Sequence, residues 1–254
     1  MAAVSLHIEV DGTGPRIVLV HGFAQTSRCW GPMADDLAAD HEVVRIDAPG
    51  HGRSPRAEPG LREGARLMAE RGGPATYLGY SMGGRYALHV ALARPDVVRG
   101  LVLVSATAGI DDPTDRAARR RQDEALAGRL QNDGLDAFLD TWLAQPLFAR
   151  LEEQAQFRPE RAENTVEGLA GSLRKAGTGT QEPLGGRLVE LSMPVLVMAG
   201  ADDAKFRAEA RRMAAATGAN ATVALIPDAG HAAHLERPRD FVGALRPWLV
   251  AHGL

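Results

Sequence analysis

A chain of 254 residues with 45% hydrophobic content can bury one large core, and an α/β domain of that size need not be divided. Its net charge of -3, from 29 Lys and Arg against 32 Asp and Glu, gives no overall attraction to nucleic acid or acidic membranes, so any anion must be held by a local basic cluster. One cysteine, Cys29, excludes an internal disulfide and fits a reducing compartment. Met1 to Val10 lacks the basic-then-apolar pattern of a leader and no run approaches the ~18 apolar residues of a membrane span, so a soluble cytoplasmic chain is expected.

Short β-rich runs recur at residues 4–10, 17–20, 43–46, 75–78, 101–104, 195–198 and 222–226, with helical stretches between them. That alternation predicts a mostly parallel sheet with helices on both faces. Asp11-Gly12-Thr13-Gly14 is a turn signal, which makes the first two strands antiparallel neighbours at one edge. After the run at 75–78, Gly79-Tyr80-Ser81-Met82-Gly83 sets a serine on a tight turn before a helix over 85–93 that ends ahead of Pro95. A nucleophile on such a turn has strained backbone angles and crowds its neighbours, so the positions two before and two after it must lack a Cβ. From about residue 107 to 190 no strand is legible; 116–130, 135–143 and 165–174 read as helices, with breaks at Gly134, Pro146 and Pro159. A helical segment inserted between two core strands is expected to be a lid. The domain plan is therefore residues 1–106 and 191–254 as core and 107–190 as lid, within a single domain.

Ligands in open α/β sheets bind beyond the carboxyl ends of the strands. His21-Gly22-Phe23 follows the second run, Asp47 to Ser54 the third, Ala201-Asp202-Asp203 the sixth and Pro227-Asp228-Ala229-Gly230-His231 the last. These loops supply serine, acid and histidine in the order of α/β-hydrolases, not that of the chymotrypsin or subtilisin types. The chain resembles an α/β-hydrolase-fold protein over nearly its whole length, with His21-Gly22 matching the oxyanion loop and Asp47 to Ser54 the Asp-x-x-Gly-His-Gly-x-Ser signature. A serine hydroxyl does not ionise at neutral pH, so Ser81 needs an imidazole within hydrogen-bond reach, for which His231 is the candidate. Asp202 and Asp203 both stand where the acid belongs; the family's Gly-x-x-Asp spacing from Gly200 favours Asp203. Backbone amides of Phe23 and Met82 would meet developing negative charge, the latter at a helix N-terminus.

Several of these residues also have plainer readings. Cys29 lacks the turn glycines that would present it as a nucleophile. His21 and His51 suit loop-holding roles, Arg119-Arg120-Arg121 a solvated helix face, and Trp142 and Phe148 packing. No Glu-rich helix or third histidine accompanies His231 and His234, so no metal is expected, and Gly177-Thr178-Gly179-Thr180 lacks the Lys-Ser/Thr ending of a phosphate-cradling loop. No cofactor is expected.

A narrower resemblance rests on Gly79 to Arg85, the stretch Arg116 to Asp123, Phe138 through Trp142 to Phe148, and Gly200 through Asp203-Ala204-Lys205-Phe206. Together these are similar to the 2-succinyl-6-hydroxy-2,4-cyclohexadiene-1-carboxylate synthases of menaquinone biosynthesis. The resemblance implies elimination of pyruvate from a small polycarboxylated cyclohexene, with Ser81, His231 and Asp203 as the general-base system. It also implies substrate binding by His21, Tyr80, Arg85, Arg119, Trp142 and Arg161, because guanidinium forks suit planar carboxylates. The stretch between Ser54 and Ala75, short and rich in Gly, Pro and Arg, departs from the family pattern. An ester or C–C bond hydrolase using an acyl-enzyme on the same triad is the alternative, and monomer and homo-oligomer both remain open.

Overall fold

A computed structural model describes residues 5–54 and 59–254. Its core is a sheet of β1 (Ile8–Asp11), β2 (Arg16–Val20), β3 (Glu42–Ile46), β4 (Ala75–Tyr80), β5 (Val98–Val104), β6 (Val195–Gly200) and β7 (Ala221–Ile226), in the order β1-β3-β2-β4-β5-β6-β7. Strand β1 runs antiparallel to β3, and the remaining pairings are parallel. Strands β4 and β6 are buried at every position, as expected of parallel strands covered on both faces. The first β-rich run, expected from residue 4, begins in a position outside the described residues, as do residues 55–58 of the Gly/Pro/Arg-rich stretch.

The first two strands are not neighbours, contrary to the sequence expectation: β3 lies between them. Burial explains the order. Ile17 to Val20 are fully buried, so β2 takes a central place with a partner on each side, whereas the half-exposed β1 suits an edge. Gly12 and Gly14, at φ +72° and +128°, carry the chain across; a Cβ on either would lie 2.3–2.4 Å from carbonyl oxygens of Ala38, Asp40 or His41. The turn signal was real, but the turn steps past β3 instead of closing a hairpin.

Helices α1 (Pro32–Ala38), α2 (Leu61–Gly72) and α3 (Met82–Ala93) precede β5; α4 (Pro113–Asp133), α5 (Leu135–Leu143), α6 (Arg158–Arg161) and α7 (Val166–Ala176) lie between β5 and β6. The chain ends with α8 (Ala204–Thr217), α9 (Ala233–Glu236) and α10 (Pro238–His252). One apolar cluster joins α2, α3 and α8 to one sheet face through Tyr77, Leu101 and Val197, and a second joins α1 and α10 to the other through Leu19, Val102 and Trp248. A third belongs to the insertion: Leu130, Leu139 and Leu169 pack with Ala24, a residue of the loop after β2. Each fully buried leucine contributes roughly 1.5–3 kcal/mol, so the inserted helices are fastened directly to the loop that borders the strand ends.

Candidate active site

The ladder aligns the strand ends: Tyr80 pairs with Val104, and Val104 with Met198. The pattern continues past the strands, with Ser81 N–H donating to the Val104 carbonyl and Ser105 N–H to the Met198 carbonyl, both at 2.8 Å. Ser81 sits at φ 51°, ψ -107°, a strained conformation for a residue with a Cβ. The turn closes so tightly that a Cβ on Gly79 would lie 2.3 Å from the Gly83 carbonyl oxygen, and one on Gly83 1.8 Å from that of Val20. Serine at a helix start normally caps it; here the hydroxyl makes no capping bond and faces His231 instead.

His231 Nε2 is 3.1 Å from Ser81 Oγ, and His231 Nδ1 is 3.1 Å from Asp203 Oδ2. An ionised carboxylate only accepts, so Nδ1 carries the proton and Nε2 accepts from the serine hydroxyl. Asp203 is held a second time as the N-cap of α8, its Oδ1 accepting from Phe206 N–H at 3.0 Å. Burial would raise the Asp203 pKa, but the bonds from His231 and Phe206 outweigh it and hold the carboxyl below its usual range. Asp202 points elsewhere, half-exposed and paired with Arg150 at 2.7 Å. The rings of Phe206 and Tyr80 stand 4.5 and 5.4 Å from that of His231 and shield it.

These groups open into a cavity of about 840 Å³ between the strand ends and the inserted helices. Phe23 and Met82 line it, and among the described residues no backbone hydrogen bond from either N–H is found outside the helices and strands. Tyr80, Arg85, Arg119, Trp142 and Arg161 line it as well. Arg85 forms no ion pair among the described residues; its Nη1 donates to the Ala176 carbonyl at 2.6 Å, at the C-terminal end of α7, and burial lowers its pKa to about 10. The charge that opposes the dipole of α3 is thus matched to the negative end of α7. Arg161, 1% exposed, donates Nε to the Gln156 carbonyl and Nη1 to that of Ala24, and burial again lowers its pKa. Arg119 is partly neutralised, its Nε bonded to Asp123 at 2.7 Å.

His21 does not face the cavity, against the expectation that it binds substrate. Its Nε2 accepts from Ala48 N–H at 3.0 Å and its Nδ1 donates to the Gly22 carbonyl at 2.7 Å, so the buried ring is spent on joining two loops, and burial keeps it neutral. His51 does the same, accepting from Ala24 N–H at 3.4 Å and donating to the Pro49 carbonyl, with its pKa pushed down to about 3 by burial. His234 lies against Trp30 and Tyr80, and burial likewise takes its pKa down to about 3. Asp47 accepts from the N–H groups of Ser27 and Arg53, which makes the Asp47 to Ser54 signature a loop fastener.

Sequence reasoning missed Gln25, Ser105 and Arg129, which also line the cavity. Ser105 had a signal in its place as the residue after β5, at a strand end; in the structure its φ of 46° is positive, as is that of Ser81 at 51°. Gln25 and Arg129 had none, since nothing local shows which side of a loop or helix will meet a cavity built from distant segments.

The family model described as alpha/beta hydrolase family matches residues 17–244. The chain belongs to the alpha/beta hydrolase family. Within it, a Bacillus subtilis (strain 168) protein provisionally named 2-succinyl-6-hydroxy-2,4-cyclohexadiene-1-carboxylate synthase is 35% identical over 242 residues, covering 89% of this chain and 86% of that one. The synthase of that name from Serratia proteamaculans (strain 568) is 29% identical over 262 residues and 100% of both chains. A solved structure of MenH from S. aureus superposes with a TM-score of 0.91 at 30% identity, over 98% of this hydrolase-family chain and 99% of that one. The likeness therefore includes the insertion, the part of an alpha/beta hydrolase in which loop and lid variation usually concentrates.

Proposed function

We propose that this chain is a carbon–oxygen lyase of menaquinone biosynthesis, eliminating pyruvate from a polycarboxylated cyclohexene to give 2-succinyl-6-hydroxy-2,4-cyclohexadiene-1-carboxylate. The observation that carries this is the full-length similarity to synthases of that name. Arginines lining the cavity support it: Arg85 and Arg161 are buried there without a carboxylate partner among the described residues, an expensive arrangement that a carboxylated ligand relieves. Arg119 adds a third guanidinium, and Tyr80 and Trp142 supply flat walls against which a ring can lie. Residues 107–190 act as the lid, contributing Arg119, Trp142 and Arg161. A free buried thiol at Cys29 suits a cytoplasmic setting.

In this reading His231 Nε2 takes the Ser81 proton and Asp203 stabilises the imidazolium. Ser81 Oγ then removes a proton from a ring carbon, and the electron pair spreads onto the succinyl carbonyl oxygen, where the Phe23 and Met82 N–H groups meet it. The pair returns to form a ring double bond as the carbon–oxygen bond breaks. Pyruvate departs as its enolate and takes up a proton, restoring the neutral site. The serine acts as a base and forms no covalent bond with substrate. Mass spectrometry of enzyme quenched during turnover should show unmodified Ser81; an acyl group on Ser81 forming as fast as turnover would replace this reading with that of a hydrolase.

A further inference from the structure

Gln25 stands in the loop after β2, is 2% exposed and borders the cavity. Its Oε1 accepts from Gly22 N–H at 2.9 Å, which fixes the orientation of the carboxamide, because an N–H donor requires the oxygen on that side. The Nε2 group is left shielded from solvent and without a partner among the described residues. An unpaired buried amide costs about 1–3 kcal/mol, so its presence beside a cavity needs a reason. The loop itself is well held: Gln25 N–H donates to the Gly22 carbonyl at 3.2 Å and the Gln25 carbonyl accepts from Asn164 Nδ2 at 3.4 Å. Arg161 binds the adjacent Ala24 carbonyl at 3.0 Å through Nη1 and the Gln156 carbonyl through Nε, while its Nη2 has no hydrogen-bond partner among the described residues.

We infer that Gln25 Nε2 and Arg161 together hold one carboxylate of the substrate on the wall beside the Phe23 amide. A neutral N–H and a guanidinium N–H on neighbouring segments match the two oxygens of a carboxylate, and reaching the shielded donor takes a side-chain adjustment of the kind common on binding. The inference rests on the proposed carboxylated substrate but adds a residue that the triad and the three arginines do not include.

The test contrasts two variants. Gln25→Glu keeps an acceptor for Gly22 N–H but replaces the donor by a negative oxygen, whereas Gln25→Met removes both. A carboxylate-binding role predicts that Glu is the worse substitution, raising KM for pyruvate release by about 100-fold against about 10-fold for Met, with the loss mainly in KM. A merely structural role predicts the reverse order, because only Met orphans Gly22 N–H. Met worse than Glu, a loss confined to kcat, or no change in KM for Glu would each overturn the assignment. Calorimetric titration with succinate separates this from the lyase reading. A wild-type chain that releases no pyruvate yet binds succinate, with binding lost in Gln25→Glu, sinks the lyase reading and keeps Gln25. Unchanged succinate binding in Gln25→Glu, or none at millimolar succinate in the wild type, sinks Gln25.

Discussion

Asp203 and Asp202 are adjacent acids with opposite surroundings, and the difference sets their expected roles. Asp203 holds the His231 ring through Nδ1, so Asp203→Asn should favour the wrong tautomer and lower kcat by at least ~1,000-fold, as should Ser81→Ala and His231→Ala. Asp202→Asn removes only an exposed pair with Arg150, worth roughly 0–1 kcal/mol, and should leave kcat within about threefold. Steady-state kinetics that rank Asp202→Asn as the more damaging change would reverse the assignment. Arg85 separates substrate recognition from folding in the same way. Arg85→Ala should cut kcat/KM for a carboxylated substrate by roughly 10- to 100-fold and change turnover of a neutral ester far less. Equal losses on both would assign Arg85 to its bond with the Ala176 carbonyl alone.

At the scale of elements, the strand–turn–helix around Ser81 depends on backbone packing that only glycine permits. Gly83→Ala should destabilise the fold by about 1–3 kcal/mol or more, since the added Cβ meets the Val20 carbonyl of a central strand, which cannot yield. Gly128→Ala, inside α4 with nothing near the new Cβ, should instead stabilise by about 0.4–1 kcal/mol. Thermal melts of the two variants check the contrast; a Gly83→Ala melt at or above the wild-type value would contradict it. This turn was legible in sequence because glycine spacing, strand and helix all fall in one continuous stretch from Ala75 to Ala93. The helix α5 was legible to the residue, since Gly134 and Pro146 bracket it. Pairing of β1 with β3 was not, because a turn signal says that the chain reverses and not which strand comes to lie beside it. His21 misled for a related reason: its place in the loop was right, but Ala48, which claims its Nε2, is 27 positions away.

For the molecule as a whole, buried neutral histidines set the response to acid. His51 and His234 have pKa values pushed down to about 3, below the ~6.5 of an unfolded histidine, so the unfolded chain binds more protons between those values. Stability is fully present above about pH 6.5 and falls as pH drops toward 3, by roughly 1.4 kcal/mol per pH unit for each histidine. His21 and His89, lowered by burial, act with the same sign. Asp203 adds to the loss only at lower pH, since its carboxyl is held below the usual range and its stabilisation disappears as pH falls through that depressed value. Melts at pH 7 and pH 5 should show a clearly lower Tm at pH 5, with a shallower dependence in His234→Gln; equal Tm values would mean that these rings are not buried as neutral imidazoles.

Elimination on a carboxylated ring, and not hydrolysis of an ester, is the reaction proposed for this fold. Purified chain supplied with the pyruvyl-bearing menaquinone intermediate, beside a neutral aryl ester, measures both in parallel. Rapid release of pyruvate that depends on Ser81, with negligible ester turnover, is the predicted result. Fast ester turnover with no pyruvate released would instead make the chain an ester hydrolase.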